Sequence, residues 1–287
     1  MLSSAAMRRA LLLFSLLLPI VCFAAANEKS EFVTTSDGIR LHYIEAGAGR
    51  PIVLVPGWTM AAEIWRAQID ALSAKYRVIA LDPRSQGDSD KPAEGNYPGR
   101  RAQDVKDLVD HLKLDKPVLV GWSMGVPEML SYIDQFGSGN VGGVVLVDGF
   151  IKIDTQMAGM FPQFALRYQV DRRKATAAFV KSMYAKPQSE AYLAQVTEAS
   201  LKTPTNSAMA LMLGSLGRLD WSDVLPKMAG IPVRYEFEPQ LQSQADMLKA
   251  KLPSAKTDRY EAGHALFVDE AGKFNQMLEE VMVEAAK

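Results

Sequence analysis

The chain has one cysteine and three histidines in 287 residues. The cysteine is Cys22, inside an apolar stretch near the start. Beyond it there is no disulfide, no thiol nucleophile and no thiolate metal site. Thirty-two Lys and Arg stand against 33 Asp and Glu, a net charge of −1. With no basic tract either, nucleic acid is not an expected partner. After the first apolar run, no segment is long and apolar enough to span a membrane. No HExxH, no clustered His/Asp ligand set and no P-loop appear, and Gly57 is not part of a phosphate-binding G-x-G-x-x-G, so neither a metal nor another cofactor is expected. Internal repeats and low-complexity stretches are also missing.

What is there begins with a leader. Met7-Arg8-Arg9 supplies positive charge, Ala10 to Phe23 is apolar, and Ala24-Ala25-Ala26 offers small residues for cleavage. Residues 1–26 read as a secretory signal peptide, which implies a periplasmic or secreted protein with no stable membrane insertion. Val21 before Cys22 fits a lipoprotein signal poorly.

Strand and helix signals then alternate. Glu31 to Thr35 and Ile39 to Ala46 flank Asp37-Gly38 and predict a hairpin. Ile52 to Val55, Arg77 to Leu81, Pro117 to Val120 and Val141 to Val147 are apolar runs of buried parallel strands. Ala61 to Ser73 and Arg101 to Leu112 carry apolar residues at helical spacing. Phe150 to Lys227 has no convincing strand and predicts inserted helices. Alternation resumes with Ile231 to Phe237, Leu241 to Lys251, Thr257 to Tyr260 and one final helix from Leu266 to Ala286. The pattern predicts an α/β, doubly wound, mostly parallel sheet. Its core is residues 31–149 and 228–287, with a helical cap over 150–227.

Gly121-Trp122-Ser123-Met124-Gly125 lies between the Pro117 strand and a helical segment from Val126 to Phe136. A serine at such a strand–turn–helix apex is strained and exposed, beside the positive end of a helix. It requires a base within hydrogen-bond reach and a third group to orient that base. His264 sits in Ala262-Gly263-His264, in the loop after the last strand, which opens at the same sheet edge. His42, in the hairpin, and His111, near a helix end, read as structural or surface residues.

The chain resembles the α/β-hydrolase fold superfamily over residues 31–287. Val53-Leu54-Val55-Pro56-Gly57-Trp58 looks like its oxyanion loop, Asp82 to Ser89 like its D-x-R-G-x-G-x-S stretch, Gly121 to Gly125 like its nucleophile elbow and Ala262-Gly263-His264 like its histidine loop. The local flavour is similar to small bacterial esterases, non-haem peroxidase-type hydrolases and dehalogenase-like members with a helical cap. Pro56 stands where many members carry histidine, and Ser85 where most carry glycine. The resemblance implies a nucleophile at Ser123, a base at His264 and oxyanion donors at the Trp58 and Met124 N–H groups. The usual position of the acid, after Phe237, holds no aspartate. Asp148, at an earlier strand end that some relatives use, is the expected acid, with Glu238 or Glu236 as alternatives. Asp82 and Arg84 read as structural.

Met157, Met160, Phe161, Phe164, Tyr168, Phe179, Met183 and Tyr184 give the cap an apolar face that packs it onto the core. A few, with Trp58, Trp122 and Met124, are expected to line a pocket; Trp122, Phe161 and Phe164 are the specific expectations. Arg167, Arg172, Arg173 and Lys174 read as a solvated face. The substrate expected is a small-molecule carboxylic ester with a small to medium apolar acyl group. Perhydrolysis and amide, lactone or C–C hydrolysis are open on the same fold. A non-catalytic periplasmic carrier of a small apolar ligand is the alternative from another class.

Overall fold

The computed structural model describes residues 28–287. The leader and Cys22 lie outside the described residues.

Eight strands form one sheet: β1 (Lys29–Thr34), β2 (Arg40–Ala46), β3 (Pro51–Val55), β4 (Arg77–Leu81), β5 (Val118–Trp122), β6 (Gly143–Val147), β7 (Val233–Phe237) and β8 (Lys256–Arg259). Their spatial order is β1-β2-β4-β3-β5-β6-β7-β8. β2 runs antiparallel to β1 and β4; every pairing from β4 through β8 is parallel. The helices are α1 (Arg66–Leu72), α2 (Pro98–His111), α3 (Gly125–Phe136), α4 (Thr155–Ala158), α5 (Phe161–Val170), α6 (Arg172–Ser182), α7 (Glu190–Leu201), α8 (Thr205–Gly214), α9 (Gln242–Lys251), α10 (Leu266–Asp269) and α11 (Ala271–Glu284). No described helix is long and apolar enough to cross a membrane.

Successive side chains of a strand point to opposite faces, and the buried residues divide accordingly. Val53, Val55, Leu119, Val144 and Leu146 pack with α2, α3 and α9 on one face. Ile52, Leu54, Val118, Val120, Val145 and Val147 pack with α1 and α11 on the other. The central strands are covered on both faces, which is why they read as continuous apolar runs.

The five helices α4 to α8 all lie between β6 and β7. This insertion leaves and rejoins the core through one narrow neck. Lys152 and Asp220 form an antiparallel bridge, flanked by Ile153 N–H donating to Leu219 O at 2.8 Å and Trp221 N–H to Ile151 O at 3.0 Å. A third apolar cluster, built on Trp58, Tyr168, Met209 and Met212, seats the insertion over the loop after β3.

The expected final helix is two helices. Glu270, at φ −122° and ψ 45°, breaks it between α10 and α11. The Asp269 carboxylate turns away from the helix to accept from the N–H groups of Ala185, at 2.7 Å, and Gly263, at 2.9 Å. β6 starts at Gly143 rather than Val141, because Val141 N–H closes a turn on Ser138 O instead of joining the sheet.

Candidate active site

The C-terminal ends of the parallel strands open on one edge, where ligands bind in open α/β sheets. Ser123 follows β5 there with φ +56°. A positive φ is strained for a residue with a Cβ and persists only where neighbours over-determine it. Ser123 N–H donates to Val147 O at 2.8 Å, and Ser123 O accepts from Val126 N–H at 3.0 Å. Gly121 is required beneath the turn, because a Cβ there would lie 2.4 Å from Gly125 O.

Three side chains meet at this edge. Ser123 Oγ lies 3.0 Å from His264 Nε2, and His264 Nδ1 lies 2.6 Å from Asp148 Oδ2. Asp148 leaves β6 at φ +44° and is almost fully buried. Its second oxygen accepts from Glu238 N–H at 2.7 Å. The structure thus sets Asp148, and neither Glu236 nor Glu238, against the inner nitrogen of the imidazole. Glu238 stands alongside: burial, and then the Asp148 charge, hold its carboxyl above the usual range. Glu236 is buried in β7 beside Tyr260, and burial pushes its carboxyl up to about 8.

The histidine loop is held from three sides. Trp122 Nε1–H donates to His264 O at 2.8 Å, Asp269 accepts from Gly263, and Ala265 N–H donates to Met183 O at 2.8 Å. This corrects the pocket expectation for Trp122. As the last residue of β5, its ring points to the α1/α11 face, against Trp65 and Phe267. It braces the loop and does not line the pocket.

Gly57 lies directly against Ser123: a Cβ on it would be 2.9 Å from Ser123 Cβ. The N–H groups of Trp58 and Met124 flank this contact, and neither donates to a backbone acceptor among the described residues. Met124 also stands at the N-terminus of α3, where the helix presents its positive end.

A cavity of about 470 Å³ opens onto Ser123 and His264. Phe161, Phe164, Met157, Met160 and Phe179 of the insertion wall it, with Trp58 and Met124 of the core. Phe161 and Phe164 thus both lie on the cavity wall. Tyr168 is instead buried, its ring 4.7 Å from that of Trp58. Arg172 is not a solvated side chain: it stacks 5.1 Å from Tyr168 and donates to Ser200 O and Thr203 O. Arg167 reaches the cavity wall.

The other singled-out residues serve the scaffold. His42 is buried between Asp82 and Ser30, each at 2.8 Å. Arg84 is buried on Asp104 and reaches Asp37. His111 ends α2.

Sequence reasoning missed Asp269, Gln86 and the anchoring role of Trp122. Asp269 was legible only as one more acidic residue of an amphipathic helix. Gln86 sits in the D-x-R-G-x-G-x-S stretch but carries no charge to mark it.

The arrangement can transfer a hydroxyl proton to an imidazole, stabilise the resulting imidazolium by a buried carboxylate and hold an oxyanion on two N–H groups. A family model described as alpha/beta hydrolase fold matches residues 50–223. A soluble epoxide hydrolase of Corynebacterium sp. (strain C12) is 44% identical over 89 residues, covering 31% of this chain and 31% of the relative. A non-heme haloperoxidase of Rhodococcus erythropolis is 38% identical over 117 residues, 40% of this chain and 43% of the relative. The chain thus spans less than half the length of these curated relatives. An esterase from Exiguobacterium antarcticum superposes with a TM-score of 0.82 at 23% identity, over 88% of this chain and 100% of that one, a likeness of fold. The chain belongs to the alpha/beta hydrolase fold family.

Proposed function

We propose that the protein is a serine hydrolase of carboxylic esters with small to medium apolar acyl groups. The observation that carries this reading is the continuous contact from Ser123 Oγ through His264 to Asp148, at 3.0 and 2.6 Å. Ser123 attacks the ester carbonyl while His264 Nε2 takes its proton. Asp148 holds the proton on Nδ1, so that Nε2 is free to accept. The tetrahedral oxyanion sits on the Trp58 and Met124 N–H groups. His264 then protonates the leaving alkoxide, and a water activated by the same imidazole releases the acid.

The apolar walls of the cavity support an apolar acyl group rather than a charged one. An aspartate nucleophile has no counterpart here, because Ser123 occupies the apex of the turn. The haloperoxidase relative motivates a second use of the same acyl-enzyme, with hydrogen peroxide replacing water as the acceptor. A non-catalytic carrier needs no imidazole on its serine, and the three-residue contact therefore speaks against that alternative.

Hydrolysis of p-nitrophenyl esters of increasing chain length, beside Ser123→Ala, tests the reading. Turnover that disappears in Ser123→Ala supports it, and the best chain length sizes the cavity. A folded protein with no turnover on any ester, or equal turnover in Ser123→Ala, overturns it.

A further inference from the structure

The loop that carries the Trp58 donor is held by the insertion, through Thr59 Oγ1 with Ser200 Oγ and Trp58 Nε1–H on Ala208 O, each at 2.7 Å, and its backbone is gripped by a core side chain. Met60 N–H donates to Gly57 O at 3.1 Å, closing a four-residue turn. Its third residue, Thr59, has φ +61°. That conformation is ordinary for glycine and strained for a β-branched residue. A turn of this kind holds its shape only when its surroundings insist on it.

Gln86 supplies that insistence to the backbone of the turn. Its Nε2 donates to Gly57 O at 3.0 Å and to Met60 O at 2.7 Å. Its Oε1 accepts from Thr59 N–H at 3.2 Å and from Arg101 Nη1 at 3.1 Å. A primary amide has two donors and two acceptor sites, and all four are used here. Gln86 is completely buried and does not touch the cavity.

The grip continues to the other donor. Arg101, on α2, lies with Nε 2.9 Å from Glu128 Oε1. Glu128 belongs to the first turn of α3, the helix that Met124 caps. Arg101 Nη1 also lies 3.8 Å from Met124 Sδ. Arg101 and Glu128 are each only 1% exposed.

We propose that Gln86 is a positioning residue for the oxyanion site, bracing the Trp58 turn and, through Arg101 and Glu128, locking it to the Met124 end of α3. This rests on the serine-hydrolase reading of the same site. An oxyanion donor acts by being in place before charge develops, so a donor left to wander loses its effect while the substrate still binds. Gln86→Glu keeps both acceptances and loses both donations.

The test uses three readouts on the whole protein: kcat and KM on a p-nitrophenyl ester, the rate of Ser123 labelling by a fluorophosphonate, and the thermal midpoint. Labelling places a phosphoryl oxygen in the same hole without needing turnover. Leu248→Ala, a core truncation on α9 away from the site, shows what destabilisation alone does. In Gln86→Glu, kcat and the labelling rate are expected to fall together by about 10- to 100-fold with KM within about threefold, less than complete loss of a donor. Gln86→Asn, too short to span the turn, carries the same expectation should Gln86→Glu not fold. Rates within twofold of wild type in a folded variant, a fall no larger than that of Leu248→Ala, or a change in KM alone overturns the inference. A wild type that the fluorophosphonate does not label sinks the serine-nucleophile reading and this inference with it, whereas a labelled wild type with unchanged Gln86 variants sinks the inference alone.

Discussion

Replacing Asp148 by asparagine should damage the protein in a way its geometry specifies. The two side chains have nearly the same shape, so the site keeps its packing. In the native protein Oδ1 accepts from Glu238 N–H at 2.7 Å and Oδ2 from His264 Nδ1 at 2.6 Å. A backbone N–H can only donate, so the asparagine oxygen must face Glu238 and its NH₂ must face His264. Nδ1 is then forced to accept, the imidazole proton moves to Nε2, and Nε2 can no longer take the proton of Ser123 Oγ. Wrong-tautomer substitutions of this kind cost roughly 10⁴ in kcat, about 5 kcal/mol of barrier. The neighbouring Glu238 carboxyl, within 4.8 Å of the imidazole, is placed to soften that loss. The assay is kcat on a p-nitrophenyl ester for Asp148→Asn, Glu238→Gln and the pair, with thermal midpoints as a check on folding. We expect a loss of about 10³ to 10⁴ for Asp148→Asn, less than about tenfold for Glu238→Gln, and a deeper loss for the pair. If Asp148→Asn keeps more than a tenth of the activity while Glu238→Gln abolishes it, the assignment of the acid is wrong.

Three further outcomes follow from single contacts. Gly57→Ala puts a Cβ 2.9 Å from Ser123 Cβ, so it should push the Trp58 turn off the serine and lower kcat by about 10²-fold, as losing one oxyanion donor does; unchanged kcat would mean that this loop does not serve the reaction. Trp122→Phe removes the 2.8 Å bond to His264 O and should cost about 1 kcal/mol in urea unfolding with a several-fold drop in kcat; wild-type values for both would refute the anchoring role. Glu236 has a folded-state carboxyl near 8, raised chiefly by burial, so its share of stability is present below the unfolded value near 4.5 and is lost as pH climbs towards about 8. Glu236→Gln should flatten that decline, gaining on the order of 1–4 kcal/mol over the parent at pH 8 relative to pH 5; parallel pH curves from urea unfolding would refute the burial argument.

The parts of this molecule legible from sequence were those governed by local physics. A buried parallel strand has no choice but to be apolar throughout, so β3, β5 and β6 announce themselves. A serine between glycines at a strand end is constrained by sterics that act over five residues. Asp148 could be singled out because it directly follows β6 and the loop just after β7 holds no aspartate before Asp246. What stayed hidden depends on faces and partners. The side on which Trp122 points is set by its place in the β5 alternation, and both faces of β5 are apolar, so hydropathy alone cannot choose. The break at Glu270 comes where Asp269 accepts from the nearby Gly263 N–H and from Ala185 N–H, 84 residues away in sequence. Arg172 looks like a solvated cation until Tyr168 and two carbonyl groups close around it. Gln86 is uncharged and unremarkable in composition, and its four bonds exist only once three chain segments meet.

The neck at Lys152 and Asp220 has a consequence for how such a molecule can change. Both ends of the five-helix excursion depart from adjacent points of the same framework, so the registers of β6 and β7 are indifferent to how much chain lies between them. Most of the apolar cavity wall belongs to the excursion, while Ser123, His264 and Asp148 all belong to the framework. On the serine-hydrolase reading, selectivity falls mainly to the excursion and reactivity to the framework, with Met183 and Ala185 coupling the two at the histidine loop. A foreign set of helices spliced between residues 154 and 218 would meet the same serine, and would have to restore the Met183 carbonyl under Ala265 and the Ala185 N–H on Asp269 to keep the histidine loop in place.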